Sequence, residues 1–180
     1  MKWFGVALGA SFVAAIIAAL FATQVAHAAL PMGPAYPASM AERLLFAHNL
    51  ERDRVNVPRL EWSAKLADQA QVWADTLAQS NRFEHSRDRS GAGENLWMGT
   101  ARSYSAEQMV SGFVEEVRYF QAGEFPNVSS TGSWQDVGHY TQLIWRETQQ
   151  VGCAMGQGRA DDILVCRYWP AGNVMGQAVI

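Results

Sequence analysis

The sequence has 180 residues, with 14 lysines and arginines against 17 aspartates and glutamates, and its formal net charge is −3 at pH 7. Binding to nucleic acid phosphates needs clustered cations, and the sequence contains no basic block, so its composition argues against a nucleic-acid partner. The chain has only two cysteines, which limits intramolecular disulfides to one.

The first 28 residues are typical of an export signal. Lys2 is a minimal positive start, Trp3 to Ala22 is an uncharged apolar run, and Ala26-His27-Ala28 offers the small residues that a signal peptidase recognises. We expect residues 1–28 to be a signal peptide. The alternative is an uncleaved membrane anchor, because the run is about as long as a spanning helix. Either way, the rest of the chain is expected to be secreted or periplasmic.

Residues 29–180 have the size of one domain with its own core. The stretch 29–38 contains Pro31, Pro34 and Pro37, which favour an extended leader. No internal repeat or second linker follows. We therefore expect a single domain over residues 39–180.

Capping residues and apolar spacing predict three helices. Ser39 and Glu42 form a capping box for the first, and the second begins near Ser63. The third begins at Ser105, with Gln108 as its capping partner. Its apolar stripe consists of Met109, Phe113, Val117 and Phe120.

Two adjacent glutamates in this third helix have opposite predicted environments. At 100° per residue, Glu116 falls inside the apolar stripe and Glu115 points to the far side. A carboxylate that faces inward is costly unless a partner satisfies it, so Glu116 is a candidate functional residue. The alternative is a glutamate at the edge of the stripe that reaches water.

Four short strands are predicted, at Arg59–Trp62, Glu94–Met98, Val151–Met155 and Ile163–Tyr168. The last two are expected to form an antiparallel hairpin, because the linker between them is rich in glycine and aspartate. This hairpin can bring Cys153 and Cys166 together. A bridge between them would close a loop of about 14 residues and contribute about 3 kcal/mol, whereas the alternative is two buried thiols.

The segment Gly138–Trp145 places a histidine, two hydroxyls and an amide beside three large apolar side chains. This mixture suits the wall of a pocket. Its periodicity is compatible with a helix and nearly as well with a strand. Of the histidines beyond the leader, His48 is interpreted as structural, whereas His85 and His139 are candidate functional residues.

Four motifs in this chain resemble those of the CAP superfamily, which includes cysteine-rich secretory proteins, antigen five and the plant pathogenesis-related group one. They occur in the order expected for that family and together span most of the chain beyond the leader. The motifs are His48-Asn49-x-x-Arg52, Gly93-Glu94-Asn95-Leu96, Gly138–Thr148 and Ile163–Val174.

The resemblance implies an α+β fold, a three-layer α-β-α sandwich with a small, mostly antiparallel sheet. It also implies a cleft lined by His85, His139, Glu94 and Glu116. In that cleft, the two histidines would bind a divalent metal such as Zn with modest affinity, and the glutamates would complete the shell or orient the imidazoles. The remaining motif residues are assigned structural roles: His48, Asn49, Arg52, Asn95, Tyr140, Gln142 and Trp145.

The expected function is that of an exported binding protein with a defence-related or envelope role. Its partners would be the metal and a sterol, a fatty acid or a protein in an apolar groove. A membrane association is expected only if the leader stays uncleaved. The alternative is a metal-dependent hydrolase or peptidase that uses a metal-activated water beside Glu94 or Glu116. A separate arrangement would use Ser86 as a nucleophile with a histidine base.

Overall fold

The structure, a computed structural model, describes residues 39–180. The predicted signal peptide and the proline-rich leader lie outside the described residues. Within residues 39–180, no helix is long and apolar enough to cross a membrane.

The described chain folds into four α-helices and four β-strands. The helices are α1 (Met40–Arg54), α2 (Ala64–Ser80), α3 (Ala106–Val114) and α4 (Gly138–Ile144). The strands are β1 (Glu61–Trp62), β2 (Gly93–Thr100), β3 (Gln150–Gln157) and β4 (Asp161–Trp169). All three predicted helices and all four predicted strands are present, and the segment that fitted either a helix or a strand is helical.

Side-chain capping starts the first three helices where the sequence predicted. Ser39 and Ser105 each form a complete capping box with the residue three positions later. Ser63 accepts a hydrogen bond from the Leu66 backbone at the start of α2. These oxygens satisfy backbone N–H groups that have no partner within the helix.

The third helix is shorter than its apolar stripe predicted. The α-helix ends at Val114, and the chain continues as a 3-10 helix over Glu115–Tyr119. Helix ends commonly tighten in this way, and each residue then rotates by about 120°. Glu116 is nevertheless partly buried, whereas Glu115 is exposed.

The sheet has the strand order β1-β3-β4-β2. Only the β1–β3 pair is parallel, so the prediction of a small, mostly antiparallel sheet is confirmed. Strands β3 and β4 form the expected hairpin, in which Cys153 lies directly opposite Cys166. The two cysteines form the predicted disulfide.

Helices cover both faces of this sheet. On β4, Ile163 and Val165 pack with the apolar residues of α2, whereas Leu164, Cys166 and Tyr168 face the core shared with α1, α3 and α4. Successive side chains alternate between the faces, so a strand covered on both sides is apolar almost throughout. The three-layer α-β-α prediction is therefore confirmed.

Two glycines of β3 allow α2 to lie close to the sheet. A Cβ atom at Gly152 would collide with the backbone of Ser63 and Ala67, and one at Gly156 would collide with the carbonyl of Ala74. The two glycines therefore let α2 pack directly against β3. His85 lies in the segment between α2 and β2 and contacts Glu94 at the start of β2.

Candidate functional site

A cavity of about 870 Å³ lies at the start of β2, one of the two edge strands of the sheet. Three of the four predicted cleft residues line it: His85, Glu94 and His139. Glu116 is not part of the lining and bonds to His139 from outside the cavity. The structure thus brings both predicted histidines to one cavity.

His85 is oriented by Glu94. The Nδ1 atom of His85 is 2.7 Å from Oε1 of Glu94, and the Ser86 backbone N–H donates to the same oxygen at 3.0 Å. The Glu94 side chain is completely buried, whereas the His85 side chain is 53% exposed. A fixed carboxylate therefore holds a ring that reaches into the open cavity.

The second oxygen of Glu94 lies against a buried arginine. Oε2 is 3.0 Å from Nε of Arg167, but the N–H does not point at the oxygen, so the contact is an ion pair without a hydrogen bond. Burial lowers the pKa of Arg167, and the negative charge of Glu94 opposes that change. The two buried charges compensate each other, because either one alone would be strongly destabilising in the interior.

His139 is oriented by Glu116 in the same manner. The Nδ1 atom of His139 is 2.5 Å from Oε1 of Glu116. The other oxygen of Glu116 accepts hydrogen bonds from the backbone N–H groups of His139 and Tyr140, at 2.9 and 3.0 Å. The imidazole also stacks on Phe113, with ring centroids 5.4 Å apart. Ring and backbone are therefore fixed together.

In both histidines, Nδ1 is engaged by a carboxylate, whereas Nε2 has no hydrogen-bond partner among the described residues. When Nδ1 carries the proton that bonds to the glutamate, Nε2 is the unprotonated nitrogen that can bind a metal. This carboxylate–histidine arrangement is typical of metal-binding histidines. Of the two roles considered for Glu94 and Glu116, the geometry favours orientation from behind the rings.

A different cluster has the tightest grouping of potential ligands. Among the described residues, only His48, Cys153 and Cys166 bring three ligand-type atoms within 4.8 Å of one another. The two sulfurs form the disulfide, so they offer no thiolate. Both ring nitrogens of His48 are already hydrogen-bonded. This cluster is structural.

His48 belongs to a buried chain of hydrogen bonds that ends at the cleft. Its Nδ1 is 2.8 Å from the Leu44 carbonyl, and its Nε2 is 2.8 Å from the Tyr168 hydroxyl. The amide of Asn95 donates both to that hydroxyl, at 3.2 Å, and to the His139 carbonyl, at 2.9 Å. Helix α1 is thereby connected to α4 through the sheet.

Arg52 holds the other end of α4. Its fully buried guanidinium donates to the carbonyls of Leu143 and Trp145, to that of Thr148 and to that of Pro58. Burial lowers the pKa of Arg52 to about 10. Because a guanidinium presents several donors in a fixed plane, one side chain satisfies the carbonyls at this helix end.

Further motif residues tie the surrounding loops to this frame. The Asn49 side chain exchanges two hydrogen bonds with the Leu60 backbone, at 3.0 and 2.7 Å. The Gln142 side chain accepts from the Gly172 backbone at 2.9 Å. Tyr140 donates to the buried carboxylate of Glu51 at 2.9 Å. Of these residues, Gln142 and Gly172 line the cavity, and the other contacts hold the elements behind it.

The contacts of Ser86 and Arg167 were not expected from the sequence. The Ser86 hydroxyl donates to the Asp88 carbonyl at 2.7 Å and has no bond to a histidine, so the suggested serine–histidine pair is not formed. Arg167 was not identified as a site residue. The signal was available, because a single arginine within the otherwise apolar run of β4 predicts a buried ionic partner.

The fold is that of one class of protein, the CAP class. Residues 45–168 match the family described as CAP, the cysteine-rich secretory protein family. The chain belongs to this family.

Two curated relatives illustrate the similarity. The chain is 38% identical over 139 residues to "Secreted protein RBT4" of Candida albicans, and the match covers 76% of this chain and 36% of that protein. It is 37% identical over 135 residues to "Pathogenesis-related protein 1C" of Nicotiana tabacum, and this match covers 74% of this chain and 77% of that protein. The chain therefore spans about a third of the Candida protein and most of the tobacco protein.

Among solved structures, the chain resembles the one described as the crystal structure of NaASP2 with Zn²⁺. The TM-score is 0.66 at 24% sequence identity, and the match covers 82% of this chain and 88% of that one. At this identity the likeness shows a common fold.

Proposed function

We propose that this chain is an exported CAP-domain binding protein that holds a divalent metal, Zn in the first place, in its cleft. The metal ligands are Nε2 of His85 and Nε2 of His139. The observation that carries the proposal is that each histidine has its Nδ1 bonded to a glutamate, while both rings line one cavity. Export is supported by the N-terminal sequence and by a relative named as secreted.

The chemistry of the donor set fits Zn, for which neutral imidazole is a good ligand. Two protein ligands leave coordination positions that water or a bound ligand would fill. Structural Zn sites use four protein ligands, so a site with two is expected to have modest affinity. When bound by His85 and His139, the metal would supply a positive charge and open coordination positions.

The rest of the cavity suits a partly apolar ligand. Beyond the histidines, its lining combines the apolar residues Phe125, Trp134 and Met175 with charged residues of the loop before β2, and its volume of about 870 Å³ is in the range of small-molecule sites. A sterol, a fatty acid or a side chain of a protein partner would bury apolar surface there. Saturable binding of a labelled sterol or fatty acid to the purified protein tests this part, and linear, unsaturable uptake would contradict it.

The contacts of the glutamates favour binding over the hydrolase alternative. Glu116 has both oxygens hydrogen-bonded by the His139 ring and by backbone N–H groups. Glu94 has one oxygen bonded to His85 and Ser86 and the other against Arg167. A general base needs a carboxylate oxygen that reaches the reacting water, and these oxygens are engaged elsewhere.

Titration of Zn into three proteins tests the metal site. These are the wild type, the double variant His85→Ala/His139→Ala, and His48→Gln as a control that removes a histidine outside the cleft. We expect the double variant to lose binding and His48→Gln to retain it. Zn binding that survives the double substitution rejects the site. A parallel assay of peptide hydrolysis with Zn present, in wild type and Glu94→Gln, tests the alternative.

A further inference from the structure

Two consecutive residues of β2 contact the two histidines from opposite faces of the sheet. Glu94 shares its face with Leu96, which packs against α2, and it bonds to the ring of His85. Asn95 points to the other face, where Trp97 packs with the α3 core, and its amide donates to the carbonyl of His139 at 2.9 Å. This alternation follows from the pleat of the strand.

We propose that Asn95 is a positioning residue of the metal site, one that sets where His139 stands relative to His85. The inference rests on the proposed function of this cleft. Adjacent Cα atoms on a strand have a fixed separation, so Glu94 and Asn95 act as one rigid unit with a histidine on either side. Asn95 is only 1% exposed, which leaves its amide little freedom.

Metal coordination makes this separation important. Metal–ligand distances are fixed to within about 0.2 Å, so two histidines from different parts of the chain must be held accurately. Glu116 fixes the direction of the His139 ring, but it lies in a 3-10 helix that follows α3. Asn95 is the described residue whose side chain joins His139 directly to the sheet that also carries Glu94.

The same amide also supports the fold, and the two roles can be separated. Asn95 donates to the Tyr168 hydroxyl, which is bonded in turn to the buried His48. Tyr168→Phe removes that hydroxyl but leaves the bond from Asn95 to His139. It therefore serves as a matched control that lowers the free energy of unfolding through the same network.

The experiment compares wild type, Asn95→Leu and Tyr168→Phe by Zn competition against a chromogenic chelator, with Co²⁺ absorption spectra as a second readout. Denaturant unfolding of each protein measures the change in stability. We expect Asn95→Leu to weaken Zn binding by about tenfold or more and to alter the Co²⁺ spectrum. Tyr168→Phe should destabilise the fold with Zn affinity unchanged within error.

Equal Zn affinity in wild type and Asn95→Leu overturns the inference, as does an equal loss in both variants. Asn95→Ser replaces Asn95→Leu if the latter does not fold. If His85→Ala/His139→Ala still binds Zn, the proposed metal function fails. In that case, NMR spectra of the metal-free proteins test whether Asn95 positions His139. Substitution of Asn95 should shift the His139 imidazole resonances, whereas substitution of Tyr168 should not.

Discussion

Glu116 accepts hydrogen bonds from both the ring and the backbone of His139, with Oε1 2.5 Å from Nδ1 and Oε2 2.9 Å from the backbone nitrogen. Oε2 also accepts from the backbone of Tyr140. One carboxylate thus determines where α4 begins and which way its histidine faces.

Glu116→Gln is expected to weaken Zn binding by about 10- to 100-fold, the usual effect of losing a residue that orients a metal ligand. A glutamine offers one oxygen, so its NH₂ group must face one of the N–H donors that the carboxylate now satisfies. Calorimetric titration of Zn measures the effect. Glu115→Gln is the control, because it changes the adjacent, exposed glutamate. Equal Zn affinities in the two variants would contradict the prediction.

Arg52→Lys is expected to lower the free energy of unfolding by about 3 kcal/mol or more, because charge-assisted hydrogen bonds contribute about 1.5–3 kcal/mol each. Lysine keeps the charge but cannot reach the four carbonyls that the planar guanidinium bonds. Denaturant unfolding measures the loss.

Arg54→Lys on the same helix is the comparison for this variant. The Arg54 side chain is 65% exposed, and its ion pair with Glu51 has an N–O separation of 3.4 Å. Its replacement should change the unfolding free energy by less than about 1 kcal/mol. A loss in Arg52→Lys as small as that expected for Arg54→Lys would show that the Arg52 hydrogen bonds contribute little.

These residues show which parts of the fold the sequence could predict. The capping box at Ser39 and the apolar runs of β3 and β4 depend on neighbours in the chain, so local patterns predicted them correctly. The inward orientation of the Glu116 side chain was also predictable, because this residue falls within an apolar stripe. The change from an α-helix to a 3-10 helix at this point did not alter that orientation. The resemblance to a known family supplied the cleft residues and the layer order.

The conformation of Gly138–Ile144 could not be predicted locally, because both helical and strand periodicity fitted it. Its helix begins where Glu116 accepts hydrogen bonds from two backbone N–H groups, and it ends where Arg52 donates hydrogen bonds to backbone carbonyls. Both partners are distant in sequence. The pairing of Arg167 with Glu94 likewise depends on the register of β2 against β4, which no single segment specifies.

Replacing both cysteines, as Cys153→Ala/Cys166→Ala, is expected to lower the free energy of unfolding by about 3 kcal/mol while Zn affinity stays unchanged. The bridge closes a short loop between residues 13 positions apart, and its loss raises the conformational entropy of the unfolded chain. Neither cysteine lines the cavity. Denaturant unfolding and Zn titration measure the two effects.

The wild-type bridge can be checked by mass spectrometry, since alkylation under denaturing conditions should modify both cysteines only after reduction. A double variant as stable as the wild type would contradict the stabilising role of the bridge. A loss of Zn affinity would contradict the separation between bridge and cleft.

The stability of the fold should depend on pH through the buried His48. Burial lowers the pKa of His48 to about 4, a nearby positive charge on Arg52 acts in the same direction, and the hydrogen bond to the Leu44 carbonyl opposes them. In the unfolded chain the pKa returns to 6.5, so between pH 6.5 and about 4 the unfolded state binds more protons than the folded state. The contribution of His48 to stability is therefore fully present above pH 6.5 and declines as the pH falls towards 4.

At about 1.4 kcal/mol per pKa unit, this contribution amounts to about 3 kcal/mol. The unfolding free energy of wild type minus that of His48→Gln should therefore shrink by about 3 kcal/mol between pH 7 and pH 4. Denaturant unfolding at a series of pH values measures it. Tyr168→Phe removes the hydroxyl that is hydrogen-bonded to Nε2 of His48 but keeps the titrating ring, so it should retain the wild-type decline with acid. A constant difference between wild type and His48→Gln across this range would show that His48 keeps an ordinary pKa in the folded protein.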